Sequence, residues 1–392
     1  MLETNTALLA CSLAVAAFLA WSAGSNNAAN IVAAVVGAKI IKLDKALLIT
    51  SIFVVFGSVM LGANVAWVLG TRVIDPGSIH TSLLTTGMLV AMFAAGFWVL
   101  TASLLKVPVS VNETVLAGLI GFGVSVNPRV VMWGEVALIY VLRFLTIPLS
   151  GLISFLIKKF LARYLEDPET TLPASLLSLH LISVFMTYII LSKLLDTVLS
   201  LVTALALSTL LLVLSKAYVD EKTSNQYEKT IMFRNVSSFL IIALMSLAYG
   251  ACNAGIVAGP LYVITINESG IVNEDYLSIL LLFGGLLVSL GVFSWGKRVI
   301  GTLAEDVTTL NYSTAVVTYV STSVTVLLLA ELGVPAATTM AVAGSIIGAS
   351  LAEGYSVVNM GVVRKMLAMW ALTTPACVAI SYLVYVFIAR LI

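Results

Sequence analysis

Apolar stretches with few charges recur from one end of this chain to the other, near 7–38, 46–70, 83–105, 112–127, 135–157, 172–195, 197–215, 235–264, 276–293, 313–331, 336–352 and 366–388. Most reach the roughly 20 residues that an α-helix needs to cross about 30 Å of hydrocarbon. In that solvent an unpaired backbone N–H or C=O costs several kcal/mol, so only helices or closed barrels can span it. Barrel strands would alternate apolar and polar residues in segments of about ten, and these runs do not alternate. Of 392 residues 60% are hydrophobic and 10% charged, and the mean hydropathy is +1.09. The chain therefore reads as an all-α, polytopic protein of the cell membrane with about 12 transmembrane helices.

The net charge of +1 points to no nucleic acid. Cys11, Cys252 and Cys377 lie in apolar stretches without metal-ligand spacing and read as free, buried side chains. The first run lacks a basic leader and an A-x-A site, so it reads as a retained span. Basic residues gather at Lys39, Lys42 and Lys45; at Lys158, Lys159 and Arg163; at Lys216, Lys222, Lys229 and Arg234; at Lys297 and Arg298; and at Arg364 and Lys365. Placing these loops in the cytoplasm leaves both termini outside it, with Arg72, Arg129 and Arg390 as exceptions. His80 reads as a solvated loop residue, His180 as a hydrogen-bonded packing residue, and Lys193 and Asp196 as interface residues. No nucleophile with an adjacent base, no HExxH and no GxxxxGK is present, which argues against an enzyme and against ATP as an energy source.

The chain repeats itself. Asn27 in GSNNA matches Asn253 in GACNA, an offset of 253 − 27 = 226, and GTRVI at Gly70 recurs as GKRVI at Gly296, 296 − 70 = 226. VPVS with Pro108 recurs as VPAA with Pro335, 335 − 108 = 227, and Thr146–Pro148 recurs as Thr373–Pro375, 373 − 146 = 227. Residues 1–158 and 235–392 form two repeats, joined by a two-span linker region, 159–234, whose polar stretch DEKTSNQYEK at 220–229 reads as a cytoplasmic loop. The loop charges run the two copies in opposite directions. The expected fold is thus two inverted-topology repeats with broken or half helices at the centre, an architecture that can open one site to each side of a membrane in turn.

Two pairs of motifs sit at matched positions. GSNNAAN (24–30) and GACNAGIVAGP (250–260) combine small residues with amides; a break there bares groups for an ion, whereas the bland alternative is helix packing with interhelical amide bonds. PVSVNE (108–113) and PAATTM (335–340) read as helix starts, and Ser110 with Glu113 fits an S-x-x-E capping box. The apolar runs that follow are short for a full span. Helix starts sunk toward the midplane would aim unpaired N–H groups and a positive dipole end at an anion. A surface helix with a plain cap is the simpler alternative.

Together these motifs resemble the inorganic phosphate transporter (PiT) family of sodium- or proton-coupled symporters, whose pattern is G-x-N-D-x-A-N in the first span of each half and P-V-S-T-T-H opening a later helix. The resemblance runs through G-x-N-N-x-A-N at 24–30, PVS at 108–110, GP at 259–260, G-x-R-V-I at 296–300 and TTP at 373–375. It implies a secondary-active symporter for inorganic phosphate, with a lipid bilayer, an oxyanion and sodium or protons as its partners and no cofactor beyond a sodium ion; a homodimer is left open. It also implies substrate binding at Ser110, Val111, Asn112, Glu113, Thr338 and Thr339, and a coupling-ion or central-cavity role for Asn26, Asn27, Asn30 and Asn253. Among these, Asn27, Asn30 and Asn253 are the candidate sodium ligands.

The chain also departs from the pattern. Asn27 and Asn253 stand where the family has aspartate, Cys252 and Ile256 where it has asparagine, Glu113 and Met340 where it has histidine, and Val54 where it often has glutamate. Neutral amide oxygens can ligate sodium but supply no charge to offset its dehydration. Sulfate needs donors only, whereas phosphate at neutral pH still carries a proton and needs an acceptor, so the lost aspartates make sulfate an alternative substrate and Glu113 argues the other way. A passive anion channel is the alternative of another class.

Overall fold

The computed structural model describes residues 2–37, 41–105, 109–162, 164, 171–269, 274–306, 312–354 and 360–391. Pro108, Arg163, the side chain of Asn30 and the side chains of residues 297–306 and 360–367 lie outside the described residues. The described chain folds into thirteen α-helices: α1 (Leu2–Gly37), α2 (Leu43–Leu61), α3 (Ala63–Thr71), α4 (Thr81–Leu104), α5 (Val111–Val126), α6 (Trp133–Ile157), α7 (Thr171–Leu191), α8 (Thr197–Lys222), α9 (Gln226–Ser269), α10 (Glu274–Asp306), α11 (Tyr312–Glu331), α12 (Thr338–Ala352) and α13 (Met360–Ala389). Among the described residues the strand-like pairing is a single antiparallel bridge, Ile74 to Val131, joining the loop after α3 to the loop before α6.

Among the described residues ten helices are long and apolar enough to cross a membrane, while α5 and α12 are shorter apolar helices of 16 and 15 residues. The twelve expected spans are therefore ten long helices and two short ones, and the second span is interrupted at Gly62 between α2 and α3. Phe144, Leu152, Val198, Val202, Leu383 and Phe387 point outward and exposed, the reverse of a soluble protein and the natural surface for lipid. The most apolar stretch of α9 is entirely buried, so α9 is the central helix, and α8 lies at the periphery.

Helix packing is reciprocal between the halves. α1 packs on α10 as α9 packs on α2, and α6 packs on α12 as α13 packs on α5. The closest approaches repeat as well. A Cβ on Gly24 would lie 1.9 Å from the Val288 carbonyl oxygen, and one on Gly250 would lie 2.2 Å from that of Val54. Ser154 Oγ donates to the Ser345 carbonyl at 2.6 Å, and Ser381 Oγ to that of Gly118 at 2.7 Å, with 381 − 154 = 227 and 345 − 118 = 227. Small residues let these backbones meet, since lipid supplies no hydrophobic drive between helices and close packing must hold them together.

Several expectations change. α1 and α9 run without a break through GSNNAAN and GACNAGIVAGP, because an intact helix satisfies its own backbone and leaves the side-chain amides to find partners across helices. Most of the polar stretch at 220–229 is helical: α8 continues to Lys222 and α9 begins at Gln226, with Lys229 paired to Asp220 across the turn. Asp196 caps α8, accepting from the N–H groups of Val198 and Leu199 at 3.1 and 3.0 Å. Lys193 pairs with Glu331 at 2.5 Å. His180 Nδ1 has no hydrogen-bond partner among the described residues.

Candidate functional site

α6 lays Val136, Ile139, Arg143, Thr146, Ser150 and Ser154 along one buried face, at the three- and four-residue spacing of a helical stripe. Arg143 is the charged member of that stripe and is only 2% exposed. Its Nη1 donates to the Pro335 carbonyl at 2.7 Å and its Nη2 to Ser110 Oγ at 2.9 Å. Nη2 also lies 3.6 Å from Glu113 Oε2, an ion pair too long for a hydrogen bond. One guanidinium thus touches the residue before α5 and the segment before α12.

The two helix starts match. Ser110 and Ala337 are the residues before the first turns, with φ −84°, ψ 102° and φ −83°, ψ 100°, and 337 − 110 = 227. Neither side chain caps its helix. The expected capping box does not form: Ser110 Oγ receives Arg143, and Glu113 Oε1 accepts from Thr374 Oγ1 at 2.5 Å instead of reaching back to Ser110. A buried cation and a hydroxyl on α13 outcompete the local cap for these groups, since charge-assisted hydrogen bonds are roughly twice as strong as neutral ones. Tyr140 Oη lies 3.3 Å from Thr374 Oγ1 and closes the network on α6.

Asn112 Nδ2 donates to the Ala336 carbonyl, which joins the first turn of α5 to the segment before α12. Val111 is buried as an apolar side chain and offers the site only its backbone. Thr338 and Thr339 open α12 and are 4% and 2% exposed. Three buried polar atoms remain without a hydrogen-bond partner among the described residues: Asn112 Oδ1, Glu113 Oε2 and Thr339 Oγ1. Such groups normally cost about 1–3 kcal/mol each; buried atoms of this kind also occur elsewhere, at Ser22, Thr50 and Thr318 for example, and these three stand in the first turns of α5 and α12. A tetrahedral oxyanion would accept from Arg143, from Thr339 and from first-turn N–H groups, and a protonated one would also donate to Asn112 or Glu113.

The amide motifs lie on α1 and α9. Asn26 Nδ2 donates to Ser103 Oγ at 2.8 Å and its Oδ1 accepts from the Val109 N–H at 3.3 Å, so Asn26 clamps the segment that leads into α5. Asn27 hydrogen-bonds the Tyr249 hydroxyl, which itself donates to the Ala23 carbonyl at 2.8 Å. Asn253 Nδ2 donates to the Tyr249 carbonyl at 3.0 Å. Tyr249 is therefore shared by Asn27 and Asn253, one from each half. Asn26, Asn27 and Asn253 are each 2% exposed or less, and no group of three or more His, Cys, Asp or Glu side chains is assembled for a metal among the described residues.

Arg143, Tyr140, Thr374 and Tyr249 are absent from the sequence-derived site. For Arg143 a signal exists: it is a charge inside the apolar run 135–157, and an intramembrane ionisable residue is by itself a functional-site hypothesis. The tyrosines carry no comparable mark.

The sequence profile of the phosphate transporter family matches residues 23–381. A protein of Chlamydia trachomatis serovar D named "Putative phosphate permease" is 27% identical, the match covering 98% of this chain and 99% of the relative. A Pyrococcus abyssi protein named in the same way is 28% identical, with 94% of each chain covered. A solved structure titled "The sodium-dependent phosphate transporter" superposes with a TM-score of 0.90 at 27% identity, covering 98% of this chain and 100% of that one.

Proposed function

Because the chain belongs to the phosphate transporter family, we propose that it is a symporter that carries inorganic phosphate across the membrane by alternating access, the repeats 1–158 and 235–392 rocking about a site between the starts of α5 and α12. The observation that carries this reading is Arg143, which donates to both helix starts, in whose first turns Asn112 Oδ1, Glu113 Oε2 and Thr339 Oγ1 are buried without a hydrogen-bond partner among the described residues. Ser110, Asn112, Glu113, Thr338, Thr339 and the backbone of Val111 form the substrate site. Each of these residues is buried, so an anion enters only after one side opens, which suits alternating access better than a passive channel.

The coupling ion is sodium or a proton. The structural neighbour is sodium-dependent by its title, and the oxygens of Asn27 and Asn253, with Asn30, are the ligands this chain offers to sodium, whereas Glu113 is its proton acceptor. Sulfate is the second reading, favoured by the guanidinium, which only donates. Proteoliposomes loaded with purified protein test these points. Labelled phosphate should accumulate uphill under an imposed sodium or pH gradient, and unlabelled sulfate should compete weakly. Equilibration without accumulation would make the protein a channel, and stronger inhibition by sulfate than by phosphate would exchange the substrates.

A further inference from the structure

An oxyanion brought into a low-dielectric centre needs positive charge beside it. The structure offers that charge in an unusual form. Arg143 has five N–H donors, of which the Pro335 carbonyl and Ser110 Oγ take two, and its carboxylate neighbour Glu113 stands 3.6 Å away without a hydrogen bond on Oε2. Glu113 is held on its other oxygen by Thr374 of α13 at 2.5 Å. The pair is therefore close enough to neutralise but too far apart to saturate either group, and the first turns of α5 and α12 also carry Asn112 Oδ1 and Thr339 Oγ1, buried without a hydrogen-bond partner among the described residues.

Resting on the oxyanion-transport reading above, we propose that Arg143 is the anion-binding counter-ion of this site and exchanges partners: Glu113 faces it when the site is empty, and a tetrahedral oxyanion displaces Glu113 when the site is loaded. The positive charge that balances the substrate is thus built into α6. Anion binding then requires no sodium, even where a cation gradient drives the full cycle. The geometry supplies each part. The guanidinium is held by a backbone carbonyl of one half and a hydroxyl of the other, which ties it to both helix starts. Glu113 has Thr374 as an alternative anchor, which lets it release Arg143 without losing every partner. Glu113 is, on this account, a competitor of the substrate as well as its neighbour.

The test measures binding of inorganic phosphate, and separately of sulfate, to purified full-length protein by calorimetry in choline buffer and in sodium buffer. The parent should bind one or both anions in choline buffer, with an affinity changed little by sodium. Arg143→Gln should weaken binding about ten- to hundredfold, the loss of one charge-assisted hydrogen-bonding group. Arg143→Lys should retain part of it, and Glu113→Gln should bind at least as tightly as the parent because the competing charge is gone. Arg143→Gln combined with Glu113→Gln guards against misfolding, since it leaves neither charge unpaired; it should melt nearer the parent than Arg143→Gln alone and still bind weakly. Parent-like affinity in Arg143→Gln, or binding in sodium only, overturns the exchange. If Thr338→Val with Thr339→Val abolishes binding while Arg143→Gln does not, the transport reading stands and this inference falls. If the parent binds neither anion in either buffer, both fall.

Discussion

The Arg143 guanidinium donates to the carbonyl of Pro335 across 2.7 Å, tying α6 in the first half of the chain to the segment that starts α12 in the second. The two residues are 192 positions apart, and the bond is buried. Any motion between the halves must carry this pair along or break it. It therefore belongs either to a rigid hub or to the step that opens the site, and the variants below separate its structural share from its functional one.

Arg143→Met should destabilise the fold strongly, because it leaves Glu113 as an uncompensated buried charge and removes donors from Pro335 and Ser110. Breaking one side of a buried pair costs about 3–5 kcal/mol. Arg143→Met with Glu113→Gln should recover a large part of that loss. Thermal unfolding in detergent measures both, and equal melting of single and double variants would show that the pair is not coupled.

Thr339→Val separates stability from binding. Thr339 Oγ1 is buried with no hydrogen-bond partner among the described residues, so replacing it by an isosteric methyl should leave the melting temperature unchanged or raise it. Oxyanion uptake should nevertheless fall about tenfold, the worth of about 1.4 kcal/mol. A variant that melts lower and transports normally would place the anion elsewhere.

Restoring carboxylates with Asn27→Asp and Asn253→Asp should raise the dependence of uptake on sodium, because a formal negative charge lowers the cost of dehydrating the cation. It should also favour phosphate over sulfate, which has no proton for a carboxylate to accept. Uptake is compared over a range of sodium concentrations. Unchanged ion dependence and selectivity would leave Asn27 and Asn253 as packing groups around Tyr249.

Gly24→Ala and Gly348→Ala should each impair folding, since an added Cβ would fall 1.9 Å from the carbonyl oxygens of Val288 and Gly151 respectively. Gly134→Ala is the control: among the described residues no atom lies within 4 Å of a Cβ there, and the substitution removes a glycine from the first turn of α6, so it should be neutral or slightly stabilising. The yield of monodisperse protein on size exclusion reads out all three. Normal yield for Gly24→Ala would mean that the α1–α10 contact is looser than it stands here.

Much of the architecture is legible in the order of residues. Hydropathy fixes the apolar helices because hydrocarbon admits no other open-ended way of satisfying a backbone, and the offset of 227 between matched motifs recurs between the Ser154 and Ser381 hydrogen bonds. The short lengths of the runs after PVS and PAA foretell α5 and α12 as less than full spans. These are local properties, set by length, period and composition, and a sequence carries them without folding.

Side-chain partnership is a different matter. Ser110 and Glu113 have the spacing of a capping box, yet Arg143 and Thr374 claim them, from 33 and 261 residues away. The amides of GSNNAAN suggest a broken helix, yet Asn26 bonds Ser103 and Val109 while α1 runs on intact. In both places the local choice was available and a distant one prevailed. A buried polar group takes whichever partner ends its desolvation at least cost, and which partners are within 3 Å is settled only when the helices of the two halves have packed.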